Sequence, residues 1–298
     1  MNKTITKSGI ITIVGRPNVG KSTLANAIVG EKIAIVTNKP QTTRNRIYAV
    51  LNRGDTQLVF MDTPGFHSPR SRLGDYMVRV VNESISGVDA VMLVVEPIDN
   101  IGKQEQELIK RIKNTGIPSV LVINKVDTVP KEELLAVIKT YSEAHEFDEI
   151  IPISARKGDG VDYLLSILVK YATEGQPLFP EGMVTDQPEK QVCAEIIREK
   201  LLMCLDKEVP HGTAVEVTRF SERDNEIIDL DVTIFCDKRA HKGIIIGRNG
   251  AMLKKIGELA RRDIEAFMGT KVFLQTWVKV KENWRDSNVQ LRNFGYDG

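Results

Sequence analysis

VGRPNVGKST, residues 14–23, contains the pattern GxxxxGK[ST] in Gly15, Gly20, Lys21 and Ser22, set between a β-branched run and a helical pattern. The demands of a nucleotide phosphate explain each residue. Glycines let successive backbone N–H groups curl around an anion, and the helix that follows turns its positive end toward it. Lys21 reaches the terminal phosphates, and the Ser22 hydroxyl completes a Mg²⁺ shell. Chance produces the pattern roughly once in a hundred chains of this length, before any strand–helix context is required.

Around that loop, residues 9–171 alternate between short apolar runs and helical patterns. The runs IITIVG (10–15), AVMLVVE (90–96), SVLVINK (119–125) and IIPIS (150–154) are nearly continuous in Val, Ile and Leu. Such strands are buried on both faces, which predicts a mostly parallel sheet covered by helices. Helical patterns lie at 103–114, 131–145 and 159–172. RIYAVLN (46–52) and TQLVFMD (56–62), joined by RGDT, read as a hairpin that adds one antiparallel edge.

Three further stretches fall at strand ends. NKVD, Asn124 to Asp127, says which base the loop would take. A carboxylate at Asp127 accepts two hydrogens from the guanine edge, and adenine offers no such donor pair. Lys125 can lie over the ring, and Asn124 can tie the loop or meet N7. Ser154, Ala155 and Arg156 would supply backbone N–H to the base oxygen. DTPG, 62–65, is a weak pattern alone, but after TQLVFMD it places Asp62 for Mg²⁺ and the Gly65 N–H for a γ-phosphate. PQTTRNR, 40–46, offers Thr43, preferred here to Thr42, as a Mg²⁺ ligand.

The candidate nucleotide contacts are therefore Gly15, Asn18, Val19, Gly20, Lys21, Ser22 and Thr23, then Asp62, Thr63, Pro64 and Gly65, then Asn124, Lys125, Asp127, Ser154, Ala155 and Arg156. Ser22, Thr43 and Asp62 are the candidate Mg²⁺ set, and Lys21, Thr43, Asp62 and Gly65 the candidate catalytic set.

After residue 173 the rhythm breaks. TEGQPLFPEGMVTDQPEK, 173–190, has three Pro and two Gly and reads as a linker, so the expected division is 1–173, a linker over 174–190, and 191–298. Beyond it come an amphipathic helix (191–205), a hairpin of TAVEVTRF and IIDLDVTIF turning at SERDN, helices at 239–246 and 251–267, and a last strand, KVFLQTWVKVK. In the second hairpin arm Ile228, Leu230, Val232 and Ile234 alternate with Asp229, Asp231 and Thr233, a strand buried on one face. Trp277, within a strand, reads as core more than as a stacking platform, although it and Trp284 flank basic KVKEN. The tail NVQLRNFGYDG reads as loosely held.

Between the last two helices stands a second glycine loop, Gly247-Arg248-Asn249-Gly250. Glycines at both ends let its tip approach a sugar–phosphate backbone, and the next helix N-terminus favours the phosphate. Arg248, Lys242 and Lys254 supply charge, so Lys242, Gly247, Arg248, Asn249, Gly250 and Lys254 are the candidate RNA contacts. Charge agrees: the net of +1 conceals −6 over 176–240 and +5 over 241–298, a basic end suited to a polyanion. The three cysteines, Cys193, Cys204 and Cys236, form no CxxC and read as reduced, with no metal site. No apolar run approaches the ~20 residues of a membrane span.

The first set of motifs, in this order, resembles the translation-factor-like GTPases over 1–172. The chain departs from signalling members of that class at Phe66, where they carry a glutamine that orients water; the resemblance implies slow hydrolysis and a water-positioning element elsewhere. Asn18 resembles the residue that in relatives helps hold K⁺. The α-β-β-α-loop-α-β order with GxxG over 191–281 resembles a type II KH domain, which reads single-stranded RNA. The expected fold is an α/β P-loop GTPase domain followed by an α+β type II KH domain. The combination resembles the Era family of bacterial ribosome-assembly GTPases. That resemblance implies GTP or GDP with Mg²⁺, K⁺ as an additional ion, binding near the 3′ end of 16S rRNA, and a role in 30S subunit assembly. It also implies a monomer in the cytoplasm, partly peripheral on the inner face of the cell membrane, with RNA binding coupled to the nucleotide. The rival expectation is a membrane or cell-cycle signalling GTPase with a protein-binding C-terminal domain.

Overall fold

In the computed structural model the described residues are 4–296 apart from 70 and 225, so the last two residues of the tail and Asn225 of the SERDN turn lie outside them. Chain order in the first part is β1 (Lys7–Val14), α1 (Lys21–Val29), β2 (Ile47–Arg53), β3 (Thr56–Asp62), α2 (Arg72–Ser84), β4 (Ala90–Val95), α3 (Lys103–Thr115), β5 (Ser119–Ile123), α4 (Lys131–Ala144), β6 (Glu149–Pro152), α5 (Val161–Leu168) and the short β7 (Thr173–Glu174). The second part adds α6 (Glu189–Cys204), β8 (Thr213–Glu222), β9 (Ile228–Cys236), α7 (Arg239–Ile246), α8 (Ala251–Met268), β10 (Val272–Val280) and α9 (Asn288–Asn293).

Contacts divide the chain into two units. One comprises residues through Ala34, Thr43–Ser68 and Met77–Asp186; the other comprises Ile35–Thr42, Pro69–Tyr76 and the chain from Gln187. The first unit is a sheet in the order β2-β3-β1-β4-β5-β6. Every pair along it is parallel except β2 with β3, the antiparallel edge expected from the hairpin. Alternation along the strands explains the double covering. Met92 and Val94 face the α1 and α5 side with Leu24, Ile28, Leu164 and Leu168. Val91, Leu93 and Val95 face the other side with Leu108, Ile112, Val137 and Tyr141. A strand whose two faces are both buried reads as an unbroken apolar run, which is why periodicity alone was enough here.

Residues 173–186 do not hang free. Val50 N donates to Val184 O at 2.9 Å and Tyr48 N to Asp186 at 3.1 Å. Fully buried Gln57 accepts from the amides of Leu178 and Phe179 at 2.7 and 2.9 Å. The segment thus occupies the outer edge of β2, which would otherwise present unpaired backbone groups.

In the second unit the three strands run β10-β9-β8, with β9 and β10 parallel and β8 and β9 antiparallel. The apolar face of β9 packs with Ile196, Ile197 and Leu201 of α6 and Ile256, Ala260 and Ile264 of α8. Three expectations fail here. Asp229 and Thr233, expected on an open face of β9, are buried, because β9 is the central strand and Arg219 and Arg223 lie on Asp229. Trp277 is 45% exposed, whereas Trp284 is fully buried and its indole N–H donates to Gly212 O at 2.9 Å. The tail is not loose: α9 buries Leu291, and Phe294 meets both Phe235 and Trp284 at ring separations of 5.0 and 5.3 Å. An exposed patch of apolar sheet must be covered, and the tail aromatics cover it; composition-based reading of a terminus cannot see that demand. Also within this unit, buried Arg198 donates to the carbonyls of Gln41 and Thr42 while pairing with Glu195, and Glu199 accepts from Val36 N at 3.0 Å. Segment 35–42 is therefore held by the side chains of α6.

Candidate functional site: a phosphate loop and a separate basic groove

The first site lies at the carboxyl ends of β1, β3 and β5, beside the point where strand order reverses from β1 to β4, the place where open α/β sheets bind ligands. Gly20 shows why the loop needs its glycine. Its φ is +100°, and a Cβ there would fall 2.2 Å from the Asn124 side chain. Asn124, buried, spends both ends of its amide on neighbouring loops: Nδ2 donates to Val19 O at 2.8 Å, and Oδ1 accepts from Ala155 N at 2.9 Å. One side chain joins the phosphate loop, the base-reading loop and the 154–156 loop. Of the two roles expected for Asn124, tying loops is the one the geometry displays.

Lys21 is buried, and its Nζ donates to the carbonyls of Gly15 and Arg16 at 3.1 and 2.9 Å. Burial pulls its pKa down to about 8, against the opposing pull of Asp62. Burial pushes the Asp62 carboxyl up to about 6, opposed by Lys21, the Ser22 hydroxyl and the Thr63 amide. Ser22 Oγ lies 2.7 Å from Asp62 Oδ2 and 2.8 Å from Thr43 Oγ1. Asp62 Oδ1 is buried with no hydrogen-bond partner. Three hard oxygens with one carboxylate, and one carboxylate oxygen wanting a cation, fit Mg²⁺. The Thr42 hydroxyl is used otherwise, bonding Thr37 and the Lys39 carbonyl at 2.7 and 2.6 Å.

Asp127 is exposed, and its carboxylate accepts from the Ser154 hydroxyl at 2.7 Å, which together with Lys157 and Arg156 holds its pKa below the usual carboxylate value. Ser154 N donates to Asp159 O and Ala155 N to Asn124, so among the described residues the Arg156 amide is the one of the three left for a base oxygen. Lys125 adopts a left-handed φ of +64° and donates to Asn18 O and to Glu96, each at 2.6 Å. Glu96 also reaches Arg16 at 3.5 Å, and Arg16 pairs with buried Glu105. These carboxylates were missed from sequence; the one signal was a strand, AVMLVVE, that ends in Glu. Thr63 fixes the second loop by donating to Ile13 O at 2.7 Å. Phe66 sits in the core with the Arg111 guanidinium 5.1 Å from its ring, and Phe66 N donates to Gly15 O at 3.0 Å. His67 Nδ1 lies 3.1 Å from Gly65 O.

The second site belongs to the other unit. Gly247 ends α7 at φ +72°, where a Cβ would fall 2.7 Å from that of Met252. Asn249 takes φ +51° and Gly250 N donates to Gly247 O at 3.2 Å, so the four residues make one tight turn into α8. Lys242, Arg248, Asn249 and Lys254 are exposed. Beside the turn runs a groove of about 440 Å³, lined by Gly250, Leu253, Lys254, Gly257, Glu258, Arg261, Leu274 and Thr276. Leu253, Gly257, Glu258, Arg261, Leu274 and Thr276 are not among the RNA contacts expected from sequence. Positions 250, 254, 257 and 261 recur at helical spacing and were a usable signal; the two β10 residues were not, because register against α8 is a tertiary fact.

Fold and site together define a P-loop GTPase fused to a KH domain. A family model described as "50S ribosome-binding GTPase" matches residues 10–125, and one described as "KH domain" matches 208–285. GTPase Era of Ruminiclostridium cellulolyticum is 52% identical over 290 residues, covering 97% of each chain, and GTPase Era of Clostridium kluyveri is 51% identical, covering 97% of this chain and 99% of that one. A crystal structure of Era in complex with MgGDPNP and nucleotides 1506–1542 of 16S ribosomal RNA superposes with a TM-score of 0.94 at 38% identity, covering 98% of this chain and 100% of that one. A structure of Aquifex aeolicus Era bound to GDP·AlF4⁻ gives the same TM-score and identity. The chain belongs to the Era family of GTPases. Among the described residues no helix is long and apolar enough to cross a membrane.

Proposed function

We propose that this chain binds GTP with Mg²⁺ and hydrolyses it, and that its KH groove takes single-stranded RNA near the 3′ end of 16S rRNA during assembly of the 30S subunit. The observation that carries the reading is one chain holding both an Asn124-tied guanine-reading loop and a basic groove beside a GxxG turn. The Era complex with nucleotides 1506–1542 of 16S ribosomal RNA supports the choice of RNA. Three parts follow: a nucleotide domain over 1–173, a connecting segment over 174–190, and the RNA-binding domain with its tail over 191–298.

The roles follow from the chemistry. Lys21, already dehydrated, trades two carbonyls for phosphate oxygens. Ser22, Thr43 and Asp62 would hold Mg²⁺, which would neutralise phosphate charge when bound. The first loop, through Gly15, Asn18, Val19, Gly20 and Thr23, wraps the phosphates, and Thr63, Pro64 and Gly65 present the Gly65 amide to the γ-phosphate. Asp127 takes the guanine donor pair while Lys125 covers the ring. Phe66 points into the core, so water is oriented by backbone or by a group from outside this loop. Asn18 would be the residue to share a K⁺ ion, as the family resemblance implies. Lys242, Arg248 and Lys254 hold the strand's phosphates, and Gly247, Asn249 and Gly250 shape the turn that meets them. The coupling runs through Thr42: its carbonyl is gripped by Arg198 on α6, one residue before Thr43. The protein acts as a monomer in the cytoplasm, with part of it on the inner membrane surface.

The test is binding of a 16S 3′-terminal fragment with GTP analogue, with GDP, and with Gly247→Asp plus Gly250→Asp. Affinity should differ between the nucleotides and vanish in the double variant. Equal affinity removes the coupling; retained binding in the double variant removes the groove. Loss of a protein partner with RNA binding intact would favour the signalling alternative.

A further inference from the structure

The groove holds two residues that neither folding nor phosphate binding calls for. Gly257 lies in the interior of α8, where glycine is less favourable than alanine. Packing does not require it: a Cβ built there meets no atom within 4 Å. The missing side chain opens into the groove that Leu253, Leu274 and Thr276 also line. Glu258 follows on the rim. It stands four residues after Lys254 and three before Arg261, spacings at which helix-surface charges pair. Among the described residues it nevertheless makes no ion pair or hydrogen bond with either. A free carboxylate beside a groove for a polyanion repels each nearby phosphate, so on affinity alone it is the wrong residue.

We propose that Gly257 and Glu258 seat and read one base of the bound strand: the base lies flat over Gly257 against Leu253 and Leu274, and donates an exocyclic amino group to Glu258. Cytosine and adenine carry that amino group, and guanine carries one beside its ring N–H. Uracil presents carbonyl oxygens there, which face a carboxylate with like polarity. Lys254 and Arg261, left unpaired by Glu258, remain for the flanking phosphates. The groove therefore selects an amino-bearing base against uracil at this seat. This inference rests on the groove's being the RNA site and adds to that reading which bases the site accepts.

The experiment titrates fluorescein-labelled short oligocytidylate, oligoadenylate and oligouridylate into the full chain, followed by anisotropy. Wild type should bind at least one of the first two more tightly than oligouridylate. Glu258→Ala should shrink that preference about tenfold, with oligouridylate binding held or strengthened, and Glu258→Gln, which keeps an acceptor without the charge, should fall between. Gly257→Ala should raise the melting temperature yet weaken the preferred oligonucleotide about tenfold. A merely structural glycine would not separate those two readouts. Glu258→Ala strengthening all three alike, or Gly257→Ala leaving affinity untouched, overturns the proposal. Wild type that binds the oligonucleotides without preference overturns it too, while the RNA reading of the groove stands. Wild type that binds none of them overturns both.

Discussion

Asn124→Ala tests whether one buried amide holds the nucleotide site together. The change orphans two backbone groups, Val19 O and Ala155 N, each bonded to Asn124 at 2.8–2.9 Å. A buried polar group left unmade costs ~1–3 kcal/mol, so the pair together should cost about 3 kcal/mol. In a unit of this size that corresponds to a fall in melting temperature of about 9 °C. Expressed in binding instead, it is about a hundredfold in nucleotide affinity. The chain offers an internal control, because its two tryptophans are Trp277 and Trp284. Tryptophan fluorescence therefore reports the unit containing β10, and far-UV circular dichroism reports both. Thermal unfolding should show dichroism loss beginning at lower temperature while the fluorescence transition stays. Asn124→Asp keeps the acceptor for Ala155 N but sets a carboxylate against Val19 O, and should be no milder. The reasoning is refuted if Asn124→Ala leaves both the dichroism transition and GTP affinity unchanged, or if the fluorescence transition moves equally.

Asp127→Ala, which removes an exposed acceptor rather than a core group, should cut the preference for GTP over ATP about a hundredfold with no change in melting; calorimetry with both nucleotides decides it. The Asp62 carboxyl, raised by burial from 3.8 to about 6, binds more protons folded than unfolded between those values. Its contribution to stability is therefore full at low pH and lost as pH rises through about 6, while Mg²⁺ affinity, which needs the ionised form, climbs over the same window. Mg²⁺ titrations of the GDP complex that are flat from acid to neutral pH would contradict this. Arg198→Met keeps apolar volume but removes the donor to Gln41 O and Thr42 O, so limited proteolysis within 35–46 should speed up, and an unchanged cleavage rate would show that the grip is not needed.

Several features were legible because local chemistry dictated them. Gly20 must be glycine, since its φ and the approach of Asn124 leave no room for a Cβ. The apolar runs at 90–96 and 119–125 had to be strands buried on both sides, and they are. Other features were invisible for an equally physical reason. Glu96 and Glu105 look like ordinary surface carboxylates in a chain with 40 acids against 41 bases. They matter because folding carries Arg16 and Lys125 to them. Arg198 sits in what reads as the polar stripe of an amphipathic helix, yet it is buried beside a segment more than a hundred residues earlier.

The two tryptophans divide the matter cleanly. Strand alternation puts Trp277 on one face of β10, but whether that face meets protein or solvent depends on what else covers the sheet, and it is exposed. Phe294 of the tail closes over Phe235 and Trp284 instead. Sequence by itself determined which backbone shapes and charges each loop can offer, and so the phosphate loop, the exposed carboxylate of Asp127 and the GxxG turn. Only tertiary structure decided which distant groups neutralise those charges and which apolar faces stay open. Backbone conformation is governed by neighbours in the chain, whereas burial and pairing are governed by neighbours in space.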